Sequence, residues 1–171
     1  MAEFKITTKS GKPLSRDKYT LDLDNRVFGT KEHNLVLDFT DNNSWSFKTG
    51  SDCVFKTYAY NCTFITGARC RFKTSAGCTF RTGYYCTFNT GSGCVFRTSA
   101  VCEFKTGDNC TFQTAHDCTF KTGSNCTFNI WDIYSCEFKS YDDNSIILDR
   151  KDKKRYIINK EFITLQKVRN G

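Results

Sequence analysis

Phenylalanine and cysteine alternate with polar positions through the middle of the chain, and they do so at a fixed interval. The eleven cysteines lie eight residues apart, except that the first gap is nine residues and the last is ten. A phenylalanine stands two residues after each cysteine, and a threonine usually stands two residues after that. The phenylalanine column extends back to Phe47 and Phe39, with Trp45 and Leu37 in place of cysteine, and forward to Ile146. Such a short, fixed period predicts a repeat architecture.

Each repeat has the consensus Cys-Thr-Phe-Lys-Thr-Gly-x-x, which divides into a strand and a turn. Side chains alternate between the two sides of a strand, so Cys, Phe and Thr point to one side and the variable residues to the other. The remaining three positions carry Gly, Ser, Ala, Asp, Asn and Tyr, and such residues supply the positive φ angles and local hydrogen bonds of tight corners. We therefore expect one strand with an inward aromatic side and one corner per repeat.

Neighbouring repeats must pair in parallel for this pattern to bury its phenylalanines. Antiparallel hairpins of uniform repeats would form an open sheet with one wet phenylalanine face, whereas burial of each side chain stabilises the fold by about 1.5–3 kcal/mol. Winding the chain into coils stacks each phenylalanine on that of the next coil. The sequence therefore predicts an all-β fold, a parallel β-solenoid (right-handed β-helix) with an eight-residue repeat on each face.

The spacing of irregular repeats indicates how many faces a coil has. The residue after phenylalanine is basic in most repeats, but Ile65, Asn89 and Gln113 are exceptions spaced by twenty-four residues. The Ser-Ala turns at Ser75 and Ser99 are also twenty-four residues apart. This modulation favours three faces per coil over the alternative, a flat form with two sheets and sixteen residues per coil.

The two ends of the chain depart from the repeat, and we expect them to cap it. Open coils would leave unpaired strand edges and an uncovered core. We assign residues 1–36 to an N-terminal cap, 37–143 to the solenoid and 144–171 to a C-terminal β-hairpin cap, all within one domain. The hairpin would join strands at 145–148 and 155–158.

Composition and charge narrow the class of protein. The chain has 171 residues, 15% aromatic residues and a single proline, as expected of one strand-rich domain. It has no apolar run of about eighteen residues and no apolar signal segment at its N-terminus, so we expect neither membrane insertion nor signal-directed secretion. That expectation places it in the cytoplasm of a host cell or in a virion. The formal net charge of +7 favours polyanionic partners over cationic ones.

A column of basic residues directly after the phenylalanines is the candidate binding feature. These side chains point outward, where like charges stacked at strand spacing repel and an anionic partner would relieve the repulsion. The alternative is a solvated face that prevents edge aggregation. With three faces per coil, two ladders result: Lys48, Lys73, Arg97 and Lys121 on one face, and Lys56, Arg81 and Lys105 on the next. The candidate polyanion-binding residues are Lys48, Lys56, Lys73, Arg81, Arg97, Lys105, Lys121 and Lys139.

No pattern in the chain indicates catalysis, a cofactor or a metal site. The cysteines lack the Cys-x-x-Cys spacing of zinc sites, and their odd number argues against complete disulfide pairing. We interpret them as buried thiols beside the phenylalanines. The two histidines, His33 and His116, form no recognisable catalytic arrangement. We therefore expect a non-enzyme with no small-molecule substrate.

Aromatic residues in the turns are a second surface feature. Exposed aromatic side chains can mark a contact patch, and simple corner packing is the alternative. The residues concerned are Tyr58, Tyr60, Tyr84, Tyr85, Trp131 and Tyr134.

The repeats at 109–112 and 125–128, both Asn-Cys-Thr-Phe, resemble octapeptide-repeat proteins of bacteriophages and large DNA viruses. The likeness covers about residues 37–146 and implies a solenoid, with no shared activity attached to it. More loosely, the chain looks like the pentapeptide-repeat proteins, right-handed quadrilateral solenoids of which some imitate DNA and inhibit gyrase. That mimicry uses an acidic surface, whereas this chain is basic, so the inhibition is not expected here.

Two functions are consistent with the sequence. The first is a non-enzymatic, phage- or virus-like structural or interaction protein, whose rigid prism binds a protein partner or a second copy of itself. The second is a module that binds nucleic acid or another polyanion through the basic ladders. Salt dependence separates them, because phosphate contacts weaken steeply as ionic strength rises.

Overall fold

The computed structural model describes residues 4–39, 43–130, 136–139, 145–148 and 155–158. These residues form an all-β fold with one short 3-10 helix, Arg16–Lys18, and no helix in these ranges is long and apolar enough to cross a membrane. The strands, in chain order, are β1 (Lys5–Thr8), β2 (Thr20–Asp22), β3 (Val27–Gly29), β4 (Leu35–Asp38), β5 (Ser46–Lys48), β6 (Val54–Lys56), β7 (Thr63–Ile65), β8 (Arg71–Lys73), β9 (Thr79–Arg81), β10 (Thr87–Asn89), β11 (Val95–Arg97), β12 (Glu103–Lys105), β13 (Thr111–Thr114), β14 (Thr119–Lys121), β15 (Cys126–Ile130), β16 (Cys136–Lys139), β17 (Ser145–Leu148) and β18 (Arg155–Ile158).

The strands form two nine-stranded sheets that the chain visits in turn. Sheet A has the order β1-β4-β6-β8-β10-β12-β14-β16-β17, and sheet B has the order β18-β15-β13-β11-β9-β7-β5-β3-β2. Successive coils pair in parallel within each sheet. Phe88, for example, lies between Phe72 and Phe104, which are each sixteen residues away. The predicted parallel β-solenoid with an eight-residue repeat is confirmed, and two repeats make one coil.

The coil has two faces, so the expectation of three faces is wrong and the two-sheet alternative is correct. Rings from sheet A contact rings from sheet B edge to face: the centroids of Phe88 and Phe96 are 5.1 Å apart, with 75° between the ring planes. The two layers of rings therefore fill the interior, and a third wall would open a void between them. The twenty-four-residue spacing of Ile65, Asn89 and Gln113 crosses from one sheet to the other and does not reflect the coil.

Phenylalanine rings of the same sheet stack face to face along the solenoid. Phe80 and Phe96 lie 4.9 Å apart with 4° between their planes, and Phe88 and Phe104 lie 4.9 Å apart with 3°. These separations match the spacing of paired strands, about 4.8 Å. Strand pairing and ring stacking therefore reinforce each other in every coil.

The first coils depart from the predicted register. Leu37 pairs with Phe55, so Leu37 belongs to the phenylalanine column and Leu35 occupies the cysteine position. Phe28 also belongs to this column, because β3 pairs in parallel with β5. Phe39, assigned to the column by its spacing, lies beyond its strand and is fully buried near the end of the core. The eight-residue spacing wrongly placed Phe39 in the column because the coil from Leu37 to Phe55 is two residues longer than the coils in the middle of the solenoid.

One antiparallel strand closes each end of each sheet. At the N-terminal end β1 pairs with β4 and β2 pairs with β3, and at the other end β17 pairs with β16 and β18 pairs with β15. Strands β17 and β18 lie at the predicted residues, but the predicted hairpin is wrong, because they pair with different sheets and not with each other. Each sheet has its own open edge, so each requires its own covering strand. The first parallel strand, β3, lies within the segment assigned to the N-terminal cap.

One residue in each corner has a left-handed backbone conformation. It is the residue directly before the cysteine position, and the corner residues predicted to adopt positive φ angles do so at this place. Its N–H group donates to a carbonyl of the next coil, as from Tyr85 to Ala100 at 3.2 Å. From residue 52 to residue 125 the φ angles lie between 54° and 70°, at Asp52, Asn61, Arg69, Gly77, Tyr85, Gly93, Val101, Asn109, Asp117 and Asn125.

Val101 is the least suitable of these residues, since a branched β-carbon makes the left-handed conformation costly. We expect Val101→Gly to raise the free energy of unfolding by about 1 kcal/mol, as measured by urea denaturation followed by circular dichroism. Gly93→Val is the reciprocal control, because a Cβ atom at Gly93 would meet no atom within 4 Å. It should lower the free energy of unfolding by about 1–2 kcal/mol. Two variants of equal stability would contradict this account of the corner.

Candidate functional site

The eight predicted basic residues divide between the outer surfaces of the two sheets. Sheet A carries Lys56, Lys73, Lys105, Lys121 and Lys139. Sheet B carries Lys48, Arg81 and Arg97. All of them except Lys139 have described side chains and are exposed, Lys121 only in part, which confirms their outward orientation. The predicted ladders are wrong in their membership, because each strand neighbours the strand two repeats away and not three.

Acidic residues interrupt the basic surface of sheet A. Glu103 and Glu137 occupy the outward position two residues before the lysine of their own strands. Asp38 lies in register beside Lys56, and Asn89 breaks the lysine column in the middle of the sheet. Sequence reasoning followed only the position after phenylalanine and so missed the acids before it. The sheet A surface is therefore of mixed charge, with its basic residues in separate groups.

Near the N-terminal end of sheet A, three cationic side chains border a shallow groove of about 400 Å³. Lys56 and Lys73 are in register on adjacent strands, and Arg71 lies on the same outer surface. Tyr58 also lines the groove, and the centre of its ring is 5.2 Å from Lys73 Nζ, an arrangement in which the ring face attracts the ammonium group. Asp38 is the single acid among the lining residues. The groove therefore presents a net positive surface to an anion.

Sheet B carries fewer charges than sheet A. Arg81 and Arg97 are in register, and Ile65, 39% exposed, separates Arg81 from Lys48. No outward position is acidic in its described strands from β5 to β15. Its other outward column consists of Ser46, Thr63, Thr79, Val95, Thr111 and Thr127. This face is weakly basic.

The turn tyrosines lie at opposite corners of the coil. Tyr58 and Tyr60 follow a strand of sheet A, whereas Tyr84 and Tyr85 follow a strand of sheet B. The four residues are between 48% and 56% exposed, so the corners do not bury their rings. The rings of Tyr84 and Tyr85 meet edge to face, with their centroids 5.4 Å apart.

An ion pair at the corner that leads from sheet B to sheet A was not predicted from the sequence. Arg69 donates hydrogen bonds from Nε and Nη2 to Asp52, each 2.9 Å long, and these bonds hold the pKa of the Asp52 carboxyl below its usual value. The two residues are one coil apart, so their contact is visible only when the number of residues per coil is known. His33 and His116 lie at the same corner; Nδ1 of His33 accepts a backbone hydrogen bond, and Nδ1 of His116 is 2.7 Å from Asp117.

The cysteines form two buried columns, one behind each sheet. Sheet A carries Cys53, Cys70, Cys86, Cys102, Cys118 and Cys136, and sheet B carries Cys62, Cys78, Cys94, Cys110 and Cys126. Each is at most 1% exposed, which confirms their interpretation as buried thiols. They donate weak hydrogen bonds to corner carbonyls, as from Cys70 to Ala68 at 3.5 Å. Hydrogen bonding to a neighbouring thiol, followed by burial, raises the pKa of Cys53 and Cys126.

We expect the native thiols to be nearly unreactive toward a bulky disulfide reagent. Burial excludes the reagent from every cysteine. A raised pKa also keeps thiols such as Cys53 and Cys126 in the protonated, unreactive form. A hydrogen bond from Cys78 instead lowers the pKa of Cys62 to about 7, so that thiol is protected by its burial alone. At pH 8 the folded protein should react at least about a hundredfold more slowly than the denatured chain, because reaction requires local opening. Asn109→Cys, which adds a thiol at an exposed corner, is the control and should react with one rapid equivalent. Rapid reaction of several thiols in the unsubstituted protein would contradict this prediction.

Other candidate features add little to the two sheet surfaces and the corners. No group of three or more His, Cys, Asp and Glu side chains within the described ranges is arranged to hold a metal ion. Two of the predicted contact residues, Trp131 and Tyr134, lie outside those ranges.

Comparison with models of known families, with curated proteins and with solved structures finds no match to this chain.

Proposed function

We propose that this chain is a non-enzymatic, phage- or virus-like structural or protein-interaction scaffold that acts in the cytoplasm of a host cell or in a virion. The observation that carries the proposal is the presence of four half-exposed tyrosines at two opposite corners of the coil. Tyrosine is enriched at protein interfaces, where its ring packs and its hydroxyl hydrogen-bonds. The octapeptide resemblance supports the viral setting.

The core holds these tyrosines in place. The residue after Tyr85 is the buried Cys86, and the backbone N–H groups of Asn61 and Tyr85 donate to carbonyls of the next coil at 3.1 and 3.2 Å. The C-terminal end of each corner is thus anchored to the backbone of the next coil. A surface that is already ordered loses less conformational entropy when it binds, which is the property a scaffold requires.

Capture of partners from a cell extract by the tagged chain tests the proposal, at about 50 and 300 mM salt, a range in which phosphate contacts weaken strongly. We expect a protein partner to be retained at both salt concentrations. Replacement of one tyrosine pair, Tyr58 with Tyr60 or Tyr84 with Tyr85, by serine should weaken its capture. Ile65→Ser is the matched control, since Ile65 is an exposed apolar residue of strand β7 and not of a corner. Capture of nucleic acid alone, lost at the higher salt, would replace this proposal with the following one.

A second candidate function is the binding of a polyanion, such as nucleic acid, at the groove on sheet A. The observation that favours it is the convergence of Lys56, Arg71 and Lys73 on one concave surface. Tyr58, on the same groove, offers a ring on which a base could stack, as aromatic side chains do in proteins that bind single strands. The groove thus combines charge with an aromatic platform.

Two triple variants with equal loss of charge test this second candidate. Fluorescence anisotropy with a labelled single strand of about 20 nucleotides measures the affinity at several salt concentrations. We expect the sheet A variant to bind the strand at least about tenfold more weakly than the unsubstituted chain. The slope of log Kd against log salt concentration should also fall by about 2–3 in this variant. The sheet B variant should change both the affinity and the slope by less. Equal weakening by both would show that net charge alone drives binding. The variants are Lys56→Gln with Arg71→Gln and Lys73→Gln on sheet A, and Lys48→Gln with Arg81→Gln and Arg97→Gln on sheet B.

A further inference from the structure

The corner that leads from sheet B to sheet A, here called the BA corner, carries two columns of side chains. Its left-handed residues in successive coils are Asp52, Arg69, Tyr85, Val101 and Asp117. The residues directly before them are Ser51, Ala68, Tyr84, Ala100 and His116. Hydrogen bonds of 2.9–3.2 Å align the coils. In each bond the N–H of a left-handed residue donates to the carbonyl of the residue directly before the left-handed residue of the next coil. The donor and acceptor pairs are Asp52–Ala68, Arg69–Tyr84, Tyr85–Ala100 and Val101–His116.

The centre of the BA corner is apolar. Tyr84 and Tyr85 are 48% and 56% exposed, and Ala100 and Val101 are partly exposed in the next coil. Val101 holds this place with φ at 58°, a conformation that costs a branched residue more than it would cost glycine or asparagine. Val101 therefore keeps an apolar side chain partly exposed at a position where glycine or asparagine would fit the backbone at lower cost.

Charges of opposite sign flank this apolar centre. Arg69 lies one coil before Tyr85, and its side chain is 54% exposed although Nε and Nη2 bind Asp52. Asp117 lies one coil after Val101, and its side chain is 42% exposed. The column therefore presents a cation, a large apolar residue, a small apolar residue and an anion at equal coil spacing.

A two-fold axis that crosses the BA corner between the coils of Tyr85 and Val101 makes this pattern self-complementary. It places Tyr85 against Val101 of a second copy. It also places Tyr84 against Ala100 of the second copy, so that a large side chain meets a small one in both contacts. One coil further out, it places Arg69 against Asp117 of the second copy. The coils are sixteen residues apart throughout this region, so all of these contacts form together.

We propose that the BA corner is the contact surface of an antiparallel dimer of this chain. The inference rests on the proposed scaffold function and identifies one of its partners as a second copy. Such a contact is isologous, with the same patch on both copies, an apolar centre and charged residues at its rim. The four coils span only about 14 Å along the solenoid, so the interface is small and the dimer is weak.

The opposite corner, which leads from sheet A to sheet B, lacks this pattern. Its left-handed residues from residue 61 to residue 125 are uncharged: Asn61, Gly77, Gly93, Asn109 and Asn125. It therefore supplies a position for a control substitution in the same backbone environment.

Sedimentation equilibrium of the purified full chain between about 1 and 100 µM tests the dimer. We expect a reversible dimer, and we expect Asp117→Lys to raise its Kd at least about tenfold, because each lysine then faces Arg69 of the other copy. This change leaves the bond between Arg69 and Asp52 intact. Arg69→Glu should weaken the dimer similarly. An equimolar mixture of the two variants should dimerise like the unsubstituted chain, because every rim contact in the mixed dimer again joins opposite charges.

Asn109→Lys is the matched control and should leave the Kd unchanged, and thermal unfolding of each variant shows that it is folded. The dimer proposal is overturned by a chain that stays monomeric at about 100 µM, by variants that dimerise normally, or by a mixture that fails to restore association. A monomeric chain that still captures a protein partner would overturn the dimer alone. If the chain dimerises but captures only nucleic acid, the dimer proposal stands and the proposed binding of a separate protein partner is overturned.

Discussion

Phe96→Ala should lower the free energy of unfolding by about 3–5 kcal/mol. Phe96 is fully buried and stacks at 4.9 Å on Phe80 and on Phe112 within its own sheet. It also meets rings of the opposite sheet edge to face, at 5.1 Å from Phe88 and 5.2 Å from Phe104. The truncation removes all four aromatic contacts and leaves a cavity that the neighbouring strands cannot close, because their spacing is fixed by backbone hydrogen bonds.

Arg97→Ala is the control for this prediction, because Arg97 is the next residue and points outward. Its loss should change the free energy of unfolding by less than about 0.5 kcal/mol, as for most surface substitutions. Urea denaturation followed by circular dichroism measures both variants. A loss below 1 kcal/mol for Phe96→Ala would mean that the phenylalanine column is not the core.

Deletion of residues 1–26, which contain β1 and β2, should convert a discrete species into large aggregates. The deletion removes both antiparallel strands from the N-terminal end and leaves the edges of β3 and β4 unpaired. Unpaired edges recruit further strands, and loss of Ile6, which is 8% exposed, uncovers the end of the core. Size-exclusion chromatography with light scattering measures the outcome.

The matched control is deletion of residues 1–3, which precede β1 and should leave the elution profile unchanged. Association through the uncovered end should also persist in a truncated chain that carries Asp117→Lys. This result would distinguish it from association through the BA corner, which Asp117→Lys weakens. A truncated chain that stays discrete and folded would show that the antiparallel strands are dispensable.

Strand alternation was sufficient to predict the inward side of each repeat but not how the coil closes. Phe55 through Phe138 lie inward as expected, because a period of two fixes which side chains share a side. Whether two or three repeats make a coil depends on the corner. The identities of the three corner residues do not reveal that the last of them is left-handed, since Arg69, Tyr85 and Val101 are found at that position as well as Gly77.

For the candidate sites, the sequence likewise predicted which side chains point outward but not which of them lie together. Outward lysines and arginines follow from alternation, whereas the side chains that share a groove, such as Lys56 with Arg71, depend on which strands are neighbours. The ion pair between Arg69 and Asp52 was invisible for the same reason. The C-terminal strands were predicted at the correct residues, but their pairing was not, because a short polar linker is equally compatible with a hairpin and with strands on different sheets.

The interior of this protein repeats every eight residues, but its exterior repeats every sixteen, because successive strands belong to opposite sheets. Loss of a single repeat would still leave every phenylalanine beside another, while all that follows would turn by half a revolution about the long axis. Loss of two repeats would keep every later side chain on its own flank. The length of the chain can therefore change in pairs of repeats without disturbing an extended contact surface, whereas an odd change would preserve folding and divide that surface between two flanks.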